Sequence, residues 1–406
     1  MSVPLVLLDP PREAFWPLAA TRPAADLLAG TRTFRARWDE RHGPLGALLC
    51  DEEVAGCAFR SGEPPPVNDP PATGSGWKAA VATWIPPRGW SFGDEPAEYR
   101  CDGEPVAWRV DASRAKELVP RIGGPRWGGS LFDAALDLGL PHVEAGGRVC
   151  GSIWATMAAN PELVVYDAED FEGGDSFSGV DPSVLLGGDL KVGSGVAIGP
   201  FVVLDAREGP IVLDRDVRIE PHALLRGPLY VGPESAVLGG EVGRGTSIGP
   251  RCKVRGEVEQ SVFQGFCNKA HDGFVGHSFV GEWANLGAST VTSDLKNTYG
   301  PVRVDGPEGR IDTVLLKVGA FLGDHVKTGI GARLTCGARI GPGSHLFGSG
   351  VSPAWLPDFS WDDGAARVRV RLDAFLSTAE TAMRRRDEAP TAGERALWTR
   401  LQKAGS

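Results

Sequence analysis

The densest group of reactive side chains lies in the second half of the chain, around residues 265–290. It contains His271 and, fourteen residues later, Asn285. A neutral histidine near the working pH is a competent general base, and an asparagine can orient a substrate or accept a hydrogen bond from it. Such chemistry requires a fold that holds separate turns of the chain in register, so that the two side chains can face one groove.

A regular repeat supplies such a fold between about residues 184 and 350. An apolar residue or a threonine recurs at six-residue intervals in several runs, with one five-residue step, and is commonly followed by glycine. These positions are Val192, Ile198, Leu204, Leu213, Ile219, Leu225, Val231, Val237, Val242, Ile248, Val254, Phe274, Val280, Leu286, Thr292, Leu316, Leu322, Thr328, Leu334, Ile340 and Leu346. This period fits neither an α-helix nor simple strand alternation. It is typical of a parallel β-helix built from hexapeptides, in which the recurring residue points inward. We expect a register slip near Gly239 and Gly240, and a loop insertion from about 293 to 312.

The motifs in this region resemble those of a known enzyme family. The sequence reads Asn268-Lys-Ala-His271, followed by Asn285-Leu-Gly-Ala-Ser-Thr290, and later Asp294-Leu-Lys-Asn297 and Gly323-Asp-His-Val-Lys-Thr-Gly329. They resemble the bacterial bifunctional enzymes that make UDP-N-acetylglucosamine, and more closely a group of sugar nucleotidyltransferases related to them. The resemblance is dense over about 185–361 and thinner near the N-terminus. It implies that the β-helix is left-handed and that the protein is a homotrimer.

The resemblance also implies acyl transfer from acetyl-CoA to an amino-sugar phosphate. His271 matches the catalytic base, Asn285 the residue that orients the sugar, and Ala288 a position near the thioester. Lys269 and Lys296 are expected as phosphate contacts.

The matching positions also contain departures, and these change the expected acceptor pocket. Phe274 stands where the bifunctional enzymes have a tyrosine. Glu259 falls where a sugar-binding lysine is expected, although Lys253 is close in sequence, and Asp294 replaces an asparagine. We therefore expect Phe274 and Lys253 to line an altered acceptor site.

Two further positions are candidates for the acyl-CoA groove. Gly323 and Asp324 could line it, but they are equally good corner residues.

The N-terminal 150 residues have a different texture. Apolar runs at 5–8, 47–50 and 79–84 predict strands, and 24–38 and 112–118 predict helices, so we expect a small nucleotidyltransferase-like α/β domain. Sugar nucleotidyltransferases generally carry a glycine-rich loop that wraps the nucleotide phosphates. The corresponding stretch here, residues 9–18, lacks both glycines and contains prolines that cannot donate an N–H.

The predicted domains are 1–150, a helical connector at 151–183, the β-helix at 184–350, and a helical tail at 351–406. The tail contains a helix from about Arg367 to Arg386 and a second one from the capping box at Thr391.

The composition of the chain argues against several other classes of protein. The net charge of −10 disfavours a general nucleic-acid binder, and no apolar run is long enough to span a membrane. Seven scattered cysteines without a C-x-x-C pair argue against a disulfide framework or a structural zinc site. With no basic leader at the start of the sequence, we expect a cytoplasmic protein with no resident metal.

Three functions stay open at this point. The first is an acyl-CoA-dependent transferase acting on an amino-sugar phosphate or a nucleotide sugar. The second is a sugar-1-phosphate nucleotidyltransferase acting through the N-terminal domain with Mg²⁺. The third is a non-catalytic scaffold that binds a sugar nucleotide.

Overall fold

The protein is described by a computed structural model over residues 3–57, 64–173, 181, 183–307, 309–348 and 350–404. The chain forms two compact units. The first comprises Met1–Phe15, Ala19–Leu27 and Thr33–Ser152, and the second comprises Trp16–Leu18, Leu28–Arg32 and Ile153–Ser406. Residues 174–180 and 182 of the predicted connector lie outside the described residues.

The first unit is a mixed six-stranded sheet with helices. Its strands, in sheet order, are Ala47–Leu49, Leu5–Leu8, Trp77–Val81, Glu104–Val110, Ala97–Cys101 and His142–Glu144. Its helices are α1 (Phe34–His42), α2 (Ala112–Leu118) and α3 (Trp127–Leu136). The prediction of a helix over 24–38 is wrong in its first half. Residues Ala24–Asp26 form a single 3₁₀ turn, and α1 begins only after Thr33, whose side chain accepts the amide of Ala36.

The second unit is a left-handed parallel β-helix of about ten turns with a helical tail. Each coil contributes short strands to three faces, which we call A, B and C. Face A contains Ala197–Ile198, Arg218–Ile219, Asn268–Lys269, Lys327–Thr328, His345–Leu346 and Ser360–Asp362, face B contains Ala223–Arg226, Phe274–Gly276, Val291–Thr292 and Arg333–Leu334, and face C contains Leu229–Val231, Thr246–Ile248, Val262–Phe263, Phe279–Val280, Ala320–Leu322, Ala338–Ile340 and Trp355–Leu356. Longer strands bend across two faces at Leu185–Val192, Val203–Leu213, Ala236–Gly243 and Lys253–Glu259.

The six-residue repeat correctly locates most of the interior of the coil. The slip near Gly239 and Gly240 is confirmed as a shift of register between Val237 and Gly240. Two positions differ from the count. Val275 is fully buried whereas Phe274 pairs with Glu257 on the outside of face B, and Leu316 is 55% exposed in the insertion.

The predicted insertion is present and forms a loop with its own hairpin. Strands Arg303–Gly306 and Gly309–Asp312 pair in antiparallel fashion within it. Parallel pairing continues beyond residue 350, because Trp355–Leu356 and Ser360–Asp362 each add to the strand of the preceding coil.

Within the described residues, the second unit also contains three α-helices. Helix α4 (Ile153–Ala168) lies against face C, where its Asn160 side chain donates to Gly245 and Ser247. Helices α5 (Leu372–Arg384) and α6 (Ala392–Ala404) form the tail. The capping box is confirmed, since Thr391 and Glu394 exchange side-chain to backbone hydrogen bonds. The tail packs on the corner between faces C and A through Phe266, Trp283, Phe359, Phe375, Met383 and Trp398.

Candidate functional site

One outward column of face A carries most of the polar side chains that could bind a ligand. Lys253, Asn268, Asn285 and Lys327 occupy equivalent positions on four successive coils. Parallel pairing fixes this alignment, because each residue is the register partner of the next. The Asn268 amide donates to the Asn285 side-chain oxygen at 2.7 Å. The pair therefore leaves the whole amide NH2 group of Asn285 and the side-chain carbonyl oxygen of Asn268 for a ligand.

Helix α5 turns this column into a groove of about 520 Å³. Its floor includes the four residues of the column, with Phe266, Trp283 and Ala284 beside them. The opposite wall is the polar side of α5 and the residues after it, namely Ser377, Thr378, Thr381, Ala382, Arg385 and Arg386. The hydroxyls of Thr378 and Thr381 donate to backbone carbonyls one turn earlier, so their oxygens can still accept hydrogen bonds.

The groove is strongly cationic. Four of its lining residues are lysine or arginine, and none of the residues that line it is acidic. Burial lowers the pKa of Lys327. Burial, and then the charge of Lys327, lowers the pKa of the next residue of the column, His345, to about 4. Lys327 makes no ion pair with a described residue, so this end of the groove carries positive potential without a compensating carboxylate.

The predicted base, His271, lies at the corner between faces A and B, with its side chain exposed. The next coil places Ala288 in the same corner, since the Ser289 amide donates to the Asp272 carbonyl at 2.9 Å. Within the described chain, the backbone N–H of Ala288 makes no hydrogen bond. This corner therefore combines an accessible imidazole with a free amide donor, which are the parts needed for proton transfer and for binding a developing oxyanion.

Lys269 occupies an inward position of face A and is fully buried. Its ammonium donates to the Arg255 carbonyl at 3.2 Å and to the carbonyl of His271. Burial lowers the pKa of Lys269 to about 8. The structure thus places this lysine beneath the His271 corner, and its ammonium is engaged by backbone rather than directed to a surface ligand.

The other predicted site residues are distributed around the coil. Phe274 faces outward on face B, and Lys296 lies in the insertion, where its ammonium donates to the Pro301 carbonyl at 2.8 Å. Gly323 and Asp324 form a corner between faces C and A. The Asp324 carboxylate accepts the Glu282 amide at 2.8 Å, which is the capping role expected of a corner residue.

Several groups at these surfaces were not predicted as site residues. Asn268 precedes Asn285 by seventeen residues, one short of a coil of three hexapeptides, and Lys327 follows after the insertion, so only the strand register shows that the three are aligned. Arg385 and Arg386 carry no such signal, because only the docking of α5 brings them to face A. His277 and Asp294 form a 2.7 Å pair at the corner between faces B and C.

The first unit was expected to resemble a nucleotide-binding domain, and the end of its first strand bears on that expectation. The Asp9 carboxylate accepts the amides of Ala24 and Ala25 at 3.1 and 2.7 Å. Burial raises the pKa of Asp9 to about 8, against the opposing effect of these two hydrogen bonds. Asp9, the first residue of the stretch that corresponds to the glycine-rich loop, is therefore bound to the backbone of the protein itself.

Comparison with known proteins finds several relatives, each of which matches part of this chain. The chain is 34% identical over 95 residues to a bifunctional sugar-1-phosphate nucleotidylyltransferase/acetyltransferase of Sulfurisphaera tokodaii, covering 23% of this chain and 24% of that protein. It is 30% identical over 161 residues to the bifunctional protein GlmU of Methanococcus aeolicus, covering 37% and 36%. It is 28% identical over 154 residues to the uncharacterized acetyltransferase YaiX of Escherichia coli, covering 37% and 67%.

Two of these three relatives are named as transferases, and together they confirm the resemblance to the bifunctional nucleotidyltransferase/acetyltransferase group. The chain spans 24% and 36% of the length of the two bifunctional proteins. No family model matches the sequence. Among the helices of the described residues, none has the length and apolar character that crossing a membrane would require.

Proposed function

We propose that this protein is an acyltransferase that moves an acetyl group from acetyl-CoA to the amine of an amino-sugar phosphate or a nucleotide sugar. The observation that carries the proposal is the corner at which His271 and the free amide of Ala288 lie on adjacent coils. The parallel β-helix and the acetyltransferase relatives support the same assignment. In this proposal the protein acts as a cytoplasmic homotrimer.

The proposed reaction balances within the two substrates. The amine nitrogen bonds to the thioester carbonyl carbon, and His271 takes a proton from that nitrogen. The amide N–H of Ala288 donates to the oxygen as it becomes negative. The C–S bond then breaks, and the proton passes to the departing thiolate. The products are the N-acetyl sugar and free CoA.

The test is the release of free thiol from acetyl-CoA with a panel of amino-sugar phosphates and nucleotide-linked amino sugars. We expect His271→Ala to lower kcat by about 10²–10⁴, the usual contribution of a general base. His222 is a matched control, because it is another exposed histidine in the corner between faces A and B, where it stacks on Phe201. We expect His222→Ala to retain full turnover.

Two other outcomes would redirect the assignment. Undiminished turnover in a folded His271→Ala variant would contradict the mechanism. If wild type consumes no acetyl-CoA with any acceptor, the two alternatives predict different results. A nucleotidyltransferase releases pyrophosphate from a nucleoside triphosphate and a sugar phosphate with Mg²⁺, whereas a scaffold binds sugar nucleotides without turnover. The missing glycines and the prolines of residues 9–18 disfavour the first of these.

A further inference from the structure

The groove between face A and α5 has an uneven distribution of charge along its length. Helix α5 runs beside the column. Near the start of the helix, Phe375 contacts the ring of His325, which lies two residues before Lys327. Beyond the other end of α5, Arg386 and Arg251 each donate a guanidinium hydrogen bond to the backbone carbonyl of the other. Arg251 lies two residues before Lys253. Lys253, Arg385 and Arg386 therefore gather at one end, and Lys327 stands alone at the other.

The length of the groove follows from the spacing of the coils. Neighbouring strands lie about 4.8 Å apart. Because three such steps separate Lys253 from Lys327, the column is about 14 Å long. An orthophosphate ion would occupy only one end of it. The groove suits an extended ligand that carries most of its negative charge at one end.

The middle of the groove is uncharged and polar. Asn268 offers its carbonyl oxygen and Asn285 its amide NH2 group side by side, and threonines of α5 line the same groove. Paired donors and acceptors of this kind match the hydroxyl and amide groups of a sugar ring. Lys327, with the nearby serine and threonine of α5, continues this polar surface to the far end.

We propose that this groove binds a nucleoside diphosphate sugar, with its diphosphate at Lys253, Arg385 and Arg386 and its sugar on the Asn268–Asn285 pair. The inference rests on the proposed acyltransferase function for the role of this ligand as the acceptor. It selects the nucleotide sugar over the simple sugar phosphate, because three cations at one end favour a diphosphate over a monophosphate. The diphosphate of acetyl-CoA has the same chemistry, so the experiment must separate the two sources.

The test is calorimetric titration of the full chain with UDP-N-acetylglucosamine and, separately, with acetyl-CoA. In the double variant Lys253→Met/Arg385→Ala we expect the Kd for UDP-N-acetylglucosamine to rise at least tenfold, while that for acetyl-CoA changes less than twofold. Lys327→Met should weaken the nucleotide sugar by a smaller factor. Arg384→Ala is the matched control, since Arg384 is an exposed arginine of the same helix that does not line the groove, and its affinities should equal those of wild type.

Each other result contradicts the inference. Equal affinities in the double variant and wild type would show that the groove does not hold the diphosphate. A selective loss of acetyl-CoA affinity would assign the groove to the thioester substrate instead. The binding readout is independent of turnover, because each titration contains one of the two ligands and no acyl transfer takes place. Failure of the acyltransferase proposal and failure of the groove assignment are therefore distinguishable.

Discussion

The buried charge of Lys269 is the clearest feature at the scale of single residues. Its ammonium lies inside the coil and is held by the carbonyls of Arg255 and His271, so it fixes the backbone of the corner that carries the proposed base. It belongs to the interior because the hexapeptide register points this position inward. An aliphatic residue there would fill the space but leave both carbonyls without this donor.

The lowered pKa of Lys269 predicts a specific dependence of stability on pH. An unfolded lysine has a pKa near 10.5, and the folded value is about 8. Between these values the unfolded chain binds more protons, so the free energy of unfolding should rise with pH in this range. Below pH 8 both states are charged, and the cost of burying the ammonium is fully present.

The measurement is urea unfolding of wild type and Lys269→Met at several pH values from 7 to 11. Other titrating groups cancel in the difference, so the stability of wild type relative to the variant should increase from pH 8 to 10.5. We also expect a lower kcat in the variant, because the His271 carbonyl loses its anchor. A difference in stability that is flat with pH would contradict the buried ammonium.

The sequence predicted which residues carry polar chemistry better than it predicted where their side chains point. Asn285, Lys253 and Lys269 were all expected as substrate contacts from the resemblance, but no motif said which way each side chain points. In the structure Asn285 and Lys253 face outward, whereas the register of Lys269 with Val254 points it inward. The position of Arg385 at the groove could not be predicted, because no local sequence pattern says where helix α5 docks.

At the scale of elements, the hexapeptide count predicted the β-helix and its register slip because the period constrains every coil. It lost one position at Phe274, since the interior steps from Val258 to Phe263 and from Val275 to Val280 contain five residues. The corners of the coil accommodate these five-residue steps, and a count of six-residue intervals does not detect them. The helix predicted over 24–38 begins late because a glycine interrupts the first half of this segment. Gly30 has a φ of +71°, which an α-helix cannot accommodate.

Docking of α5 should be required for tight binding in the groove. The Phe375 ring is 3% exposed and makes edge contacts with Phe359 and Trp398 at centroid distances of 4.8 and 5.3 Å. Removing a buried phenylalanine side chain costs about 3–5 kcal/mol. We expect Phe375→Ala to release α5 locally while the coils, which have their own aliphatic interior, stay folded.

Limited trypsin digestion and calorimetry check this prediction. Cleavage after Arg384, Arg385 and Arg386 should accelerate, and the affinity for UDP-N-acetylglucosamine should fall by at least tenfold, with little change in far-UV circular dichroism. Leu376→Ala is a suitable control for the loss of side-chain volume, because Leu376 is only partly buried at the edge of the same cluster. If Phe375→Ala binds as tightly as wild type, α5 is not the second wall of a binding site.

At the scale of the whole molecule, the proposed homotrimer makes a prediction about the A–B corner. Ile330 is 83% exposed there, and the following residue, Gly331, donates its amide to the Ala288 carbonyl. Covering this side chain would remove its apolar surface from water, which is favourable. We expect it to be covered by a neighbouring copy of the chain, which would then complete the acyl-CoA site.

Light scattering coupled to size exclusion tests the assembly directly. Wild type should have a mass about three times that of the 43.0 kDa chain. In Ile330→Asp a buried carboxylate at the interface would be unfavourable, so we expect dissociation toward monomer and loss of thiol release in parallel. Arg333→Asp changes charge without removing an exposed apolar group, and its mass should be that of wild type. If the Ile330→Asp protein is trimeric and fully active, this corner belongs neither to the interface between copies nor to the active site.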